Sequence, residues 1–250
     1  MDASLIRSAL TLTGHPVLAL PCGYDHLGLP FGLQLVGRRR RDAELLRVGM
    51  ALEKVFAKVG FVFLFAPLHH QSMKYVMPAR QRIGQKTIFN LLGPHTNPCG
   101  AKRQVLGVYD KKLLETFSEV SKNLHMEHVL IVHGDDGLDE ITITGSTTIS
   151  ELKNYKINQY KISPKDFGLS TADFSEISAQ APEESLLLVR EAFSGEQSAI
   201  QYMIALNAGA GLYVARKTES IADGVELAFD LMNSGKAADK LAAYVRVSNS

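Results

Sequence analysis

The 250-residue chain is 46% hydrophobic and sets 27 Lys and Arg against 26 Asp and Glu, a formal charge of +1, so it can bury a sizeable core but has no global field to draw nucleic acid or an anionic membrane. Its two cysteines, Cys22 and Cys99, are too few for a disulfide framework, and no run approaches the roughly 18 apolar residues of a membrane span. The opening MDASLIRSALTLTG lacks the basic start and continuous apolar centre of a signal peptide, and a reducing cytoplasm is the expected setting.

Residues 15–37, HPVLALPCGYDHLGLPFGLQLVG, hold two short apolar runs around turn residues and predict two strands with a Gly/Pro-rich connection. The basic run Arg38 to Arg41 is read as a solvated loop rather than a phosphate grip. Asp42 is placed to cap a helix running to about Phe56, with Leu45, Val48, Gly49, Leu52 and Val55 on one face. Beyond it the pattern alternates: a strand at GFVFLFA, a helix from about Gln71 to Ile83, then KTIFNLLG, a loop, and a strand at QVLGVY. That alternation predicts a parallel sheet with covering helices.

A further helix starts from Asp110, its stripe formed by Leu113, Leu114, Phe117 and Val120, and leads into the buried strand HVLIVHG. After an acidic turn, EITITG and TTISEL read as two antiparallel strands joined at a Gly/Ser turn, which makes the sheet mixed. The last third reads as helical: EESLLLVREAF, SAIQYMIALNAGAGLYVARK, and a helix opened by Ser220 and Asp223 as a capping-box variant and stopped by Gly235. The small residues of LNAGAGLYVA permit close helix packing, and no chemistry is assigned to them.

Three constellations could carry chemistry. HVLIVHG runs straight into DDGLDE, so Asp135, Asp136, Asp139 and Glu140 crowd the carboxyl edge of the sheet, where open α/β folds bind ligands. A hard divalent cation would resolve the conflict between the adjacent Asp139 and Glu140, since Mg²⁺ commonly takes one or two carboxylates plus waters and phosphates. The spacing is not that of a calcium loop, and by itself it favours an exposed acidic turn. The segment FAPLHHQSMKYVMPAR carries His70, Lys74 and Arg80 from a strand end into a helix. Arg80 could pair bidentately with a carboxylate, whereas His69 and His70 are neighbours with no further ligand spaced for a metal, which favours an ordinary packing role. The loop NLLGPHTNPCG is either a rigid turn or a backbone wall against a planar ligand.

Taken together, FLFAPLHHQSMKYVMPARQRIGQKTIFNLLGPHTNPCGAKRQVLGVY, VHGDDGLDEIT, KDFGL and LNAGAGLYVA closely resemble anthranilate phosphoribosyltransferases, from near Val59 to the end, about three quarters of the chain. The resemblance implies a truncated nucleoside phosphorylase/phosphoribosyltransferase-like large domain, α/β with a mixed, mainly parallel sheet and flanking helices. It implies transfer of phosphoribose from phosphoribosyl pyrophosphate to anthranilate in tryptophan biosynthesis, with Mg²⁺ as cofactor. Residue by residue, Asp139 and Glu140 match the metal-binding pair, Arg80 matches the arginine that meets the anthranilate carboxylate, and His70, Ala66 and Gly93 match positions lining the anthranilate channel. His95 and Lys86 stand where a leucine and an arginine are usual, which leaves the assignment intact.

The family's GTGGD pyrophosphate loop, the phosphate cradle after it and its small helical domain have no counterpart in these residues. Residues 1–56 instead resemble the carboxyl-terminal end of amidase-signature enzymes, through TLTGHPVLALPCGYDHLGLPFGLQLVGRRRRDAELLRV. The chain thus reads as an amidase-like fragment, 1–56, followed by an incomplete phosphoribosyltransferase-like domain, 57–250. The leading expectation is a phosphoribosyltransferase that is inactive alone for want of the pyrophosphate loop. The alternative is a non-catalytic fusion or chimera, and last an amidohydrolase, whose nucleophile motif is missing. Exposed strand edges predict homo-oligomerisation or aggregation.

Overall fold

The computed structural model describes residues 17–24, 30–36, 42–60, 95 and 101–249. The chain divides into two compact units, residues 1–100 with 242–250, and residues 101–241. Among the described residues, no helix is long and apolar enough to cross a membrane.

In the first unit the two expected strands, β1 (Val17–Tyr24) and β2 (Pro30–Val36), pair as an antiparallel hairpin, with a register shift between Pro21 and Gly23. Helix α1 (Asp42–Val59) packs on it, burying Val55 and Val59 and exposing Glu53, Lys54 and Lys58. The expected strand at GFVFLFA and the helix from about Gln71 to Ile83 lie outside the described residues.

The second unit is built on a four-stranded mixed sheet in the order β3 (Arg103–Gly107), β4 (His128–Gly134), β5 (Thr147–Lys153), β6 (Lys156–Ile162). The β3–β4 pair is parallel, joined through helix α2 (Leu113–Asn123), and the β4–β5 and β5–β6 pairs are antiparallel. Val129 to Val132 are at most 1% exposed because both faces of β4 are covered, which is why HVLIVHG is apolar without alternation. Leu130 and Val132 join Ile149 in the core under α4 (Ala199–Val214) and α5 (Ile221–Asn233), while α2 packs across β4 and β5.

Helix α2 departs from its expected stripe. Leu114 and Phe117 are buried as expected, but so are Ser118 and Ser121, while Val120 is exposed. Ser118 Oγ sits 2.8 Å from the Leu114 carbonyl and 2.7 Å from Ser150 Oγ, so a satisfied hydroxyl lets the helix approach the sheet where a valine would hold it off. The EITITG strand is absent too. Residues 135–146 form one loop that leads directly into β5, because side chains claim the backbone groups that a sheet ladder would need.

Helices α3 (Pro182–Ala192), α4 and α5 follow the expected pattern. Ser220 and Asp223 form the reciprocal capping box, and Gly235 stops α5 at a φ of +78°. Helix α6 (Lys236–Ser248) follows, in a segment for which the sequence reading proposed no element. Helices α4 and α5 cross at glycines: a Cβ on Gly224 would stand 2.3 Å from the Gly209 carbonyl oxygen.

A polar hub secures the end of the sheet remote from the acidic loop. The Glu151 carboxylate takes hydrogen bonds from His128 Nε2 at 2.8 Å, the Tyr213 hydroxyl at 2.8 Å and the Tyr160 hydroxyl at 3.1 Å. Burial pushes the Glu151 carboxyl up, but these bonds together outweigh it and hold it below its ordinary 4.5. A depressed carboxylate gives stability that is complete above the ordinary value and disappears as pH falls through the depressed one. Glu151→Gln should therefore reduce the fall in stability between about pH 6 and about pH 3 relative to wild type, measured by denaturant unfolding across that range. Equal pH slopes for the two proteins would remove Glu151 from this role.

Candidate functional site

The acidic loop is folded by its own side chains. Gly134 N–H donates to the Leu138 carbonyl at 2.8 Å, and Gly137 takes the positive φ of +95° that the turn requires. Asp136 then stitches the interior: one carboxylate oxygen accepts from Leu138 N–H at 3.1 Å, and the other accepts from the Thr142 and Thr144 hydroxyls at 2.5 and 2.6 Å. Burial pushes Asp136 up, but these bonds outweigh it and leave its carboxyl below the ordinary 3.8. Asp135 faces outward, 2.8 Å from Lys161 Nζ and 3.9 Å from Lys111 Nζ. The hydrogen bond from Lys161 is the main reason its carboxyl is also lowered.

Two of the four carboxylates are thus neutralised or consumed, and two are not. Among the described residues, Asp139 and Glu140 have no side-chain hydrogen bond and no ion pair. Burial, followed by the Asp139 charge, raises the Glu140 carboxyl above its ordinary 4.5. Both line an open cavity of about 490 Å³ walled by Leu138, Phe174, Ile177, Ile200, Met203 and Ile204. An adjacent pair of carboxylates with uncompensated charge at the rim of an apolar cavity suits a hard divalent cation that completes its shell with waters and phosphate oxygens. Among the described residues no group of three or more His, Cys, Asp or Glu is gathered for a metal.

The pair is placed by contacts from two other elements. A Cβ on Gly107, at the end of β3, would stand 1.6 Å from the Asp139 carbonyl oxygen, so the loop rests directly on the β3 backbone. One residue on, the Val108 carbonyl accepts from His133 Nδ1 at 2.8 Å, which ties the ends of β3 and β4 together. From α4, Asn207 Oδ1 accepts from Ile141 N–H at 3.0 Å, and Asn207 Nδ2 donates to the Ile141 and Met203 carbonyls at 2.8 and 3.0 Å.

Asp139 and Glu140, expected from the sequence, both line the cavity. Asn207, Gly107 and the threonines of the loop are not among the residues expected from the sequence. Asn207 left a usable trace, as a polar amide inside the apolar run YMIALNAGAGLYV. Arg80, His70, Ala66 and Gly93 lie outside the described residues.

Comparison with known proteins gives a consistent picture. The model of the glycosyl transferase family, a/b domain, matches residues 49–238, beginning inside α1. The anthranilate phosphoribosyltransferase of Halorhodospira halophila is 43% identical over 222 residues, which cover 86% of this chain and 65% of that protein. Among solved structures, the anthranilate phosphoribosyltransferase from Thermus thermophilus matches with a TM-score of 0.71 and 38% identity, over 82% of this chain and 59% of that one. The enzyme from Saccharomyces cerevisiae in complex with PRPP and Mg matches with a TM-score of 0.72 and 26% identity, over 80% and 58%. The chain spans less than two thirds of the length of each of these relatives.

Proposed function

Since the chain belongs to the glycosyl transferase family through its α/β domain, we propose that it carries the cation-binding and acceptor-binding parts of an anthranilate phosphoribosyltransferase site. The reaction is displacement of pyrophosphate from the anomeric carbon of phosphoribosyl pyrophosphate by the amine of anthranilate, a step of tryptophan biosynthesis. The observation that carries the proposal is the division of labour in the acidic loop, where Asp139 and Glu140 alone are left uncompensated and facing the cavity.

In this reading Asp139 and Glu140 hold Mg²⁺, which when bound offsets the charge of the departing pyrophosphate. The relative solved with PRPP and Mg supports that choice of ion. Arg80 pairs with the anthranilate carboxylate in the bidentate geometry available to a guanidinium, and His70, Ala66 and Gly93 line the acceptor channel. The pyrophosphate itself needs a further cradle of backbone N–H groups, and the sequence of residues 1–250 holds no GTGGD-type run. The amidase-like character of residues 1–56 belongs to the same proposal and rests on their sequence.

Mn²⁺ serves as the spectroscopic substitute for Mg²⁺ in the test. Titration followed by electron paramagnetic resonance should show saturable binding to the wild-type chain and its loss in the Asp139→Asn, Glu140→Gln double variant. Wild-type binding should also weaken as pH falls, sooner than for an ordinary glutamate, because burial and then the Asp139 charge raise the Glu140 carboxyl. Equal Mn²⁺ binding by the wild type and the double variant would refute the assignment of the pair.

A further inference from the structure

The reading of Asp139 and Glu140 as a cation pair leaves open what fixes their separation. Neither side chain is held by a hydrogen bond among the described residues, so their positions follow from the backbone that carries them. Toward the amino-terminal side, Leu138 is bonded through both its N–H and its carbonyl, to Asp136 and Gly134, and Asp139 rests on Gly107. Toward the other side, the next fixed point is Ile141. Its side chain is 1% exposed in the core, and both of its backbone groups go to a single side chain, Asn207.

We infer that Asn207 is a positioning residue for the Asp139–Glu140 pair, setting the Glu140–Ile141 peptide plane and so the direction in which Glu140 presents its carboxylate. This rests on the cation-pair reading above. The chemistry singles out asparagine, since an amide offers an acceptor and a donor in one plane and can meet a peptide N–H and C=O together. Asn207 is itself oriented, because its Nδ2 also donates to the Met203 carbonyl one turn earlier on α4 at 3.0 Å. The helix thereby acts as a jig for the loop. Asn207 borders the same cavity as the pair, yet its amide groups are already engaged with backbone, so its action on a cation is through Glu140 and Ile141. Partners of this indirect kind typically change metal affinity by about 10- to 100-fold.

The test is a Mn²⁺ titration of the full 250-residue chain, run on wild type, Asn207→Ala and Val214→Ala. Val214 is a buried residue of the same helix, about 10 Å further along its axis, so its truncation reports what loosening α4 does by itself. The expected result is a dissociation constant at least about 10-fold weaker for Asn207→Ala, with Val214→Ala close to wild type although both melt earlier. Wild-type affinity in Asn207→Ala, or equal weakening in the two variants, overturns the inference. Should Asn207→Ala fail to fold, Asn207→Gln carries the same groups one methylene further out; it should weaken binding as well, and unchanged affinity there is equally fatal. Failure of the underlying reading looks different, since the wild type itself would then bind no Mn²⁺ or bind it without regard to Asp139 and Glu140.

Discussion

Leucine in place of Gly224 should abolish cooperative folding of the unit formed by residues 101–241. A Cβ at this position would lie 2.3 Å from the Gly209 carbonyl oxygen, and one on Gly209 would lie 2.6 Å from Val225 N. These obstacles are backbone atoms of two packed helices, with no flexible side chain to swing aside. Relief requires α5 to move away from α4, which opens the core that holds Leu206, Ala210, Val225 and Ala228. Ordinary overpacking costs about 1–3 kcal/mol, and prising two helices apart should exceed about 4 kcal/mol, a large share of the roughly 5–15 kcal/mol that holds a domain together. Gly211→Ala is the matched control, because its Cβ meets nothing within 4 Å and the helical propensity of alanine should raise stability by up to about 1 kcal/mol. Circular dichroism melts would decide the matter: a Gly224→Leu protein that unfolds cooperatively within a few degrees of wild type would show that the helices are not in contact at this crossing.

The second large effect is on turnover. Purified as residues 1–250 and given Mg²⁺, anthranilate and phosphoribosyl pyrophosphate, the chain should form phosphoribosylanthranilate no faster than its Asp139→Asn, Glu140→Gln variant. In the proposed reading the chain contributes two carboxylates to the cation, and these alone do not fix the orientation of the pyrophosphate. In phosphoryl transfers, which are analogous in the phosphate charge to be managed, positioning and charge stabilisation provide most of the acceleration. Removing even one preorganised donor from an anion site commonly costs about 100- to 1000-fold in rate, and on the reading proposed above residues 1–250 carry no GTGGD-type run to supply such donors. The fluorescence of phosphoribosylanthranilate gives a continuous readout. Turnover above the double variant that survives repurification would mean that another segment of these residues performs the cradle's task.

The fold was legible wherever its cause was local. The capping box at Ser220 and Asp223 and the stop at Gly235 depend on neighbours within a few residues, and each is found as read. Misreadings arose where the cause lay far along the chain. EITITG has the alternation of a strand, but its backbone is claimed by Asn207, 66 residues away, and by hydroxyls that turn inward to Asp136. Ser118 is buried because Ser150 meets it from β5, beneath the helix, which no helical periodicity could announce. The same holds for the site. An excess of negative charge was visible at once, but which two carboxylates stay uncompensated depends on Lys161, Lys111, Thr142 and Thr144.

The stitching of the acidic loop also bears on the entropy of binding. A loop closed through Asp136 and anchored at Ile141 has little conformational freedom left to surrender when a ligand arrives. An unstructured acidic segment would lose roughly 1–2 kcal/mol per residue on being fixed around a cation, enough over five residues to cancel a modest affinity. Here the backbone ordering is completed during folding, so in the proposed reading none of the attraction of Asp139 and Glu140 for a cation is lost to arranging the loop backbone.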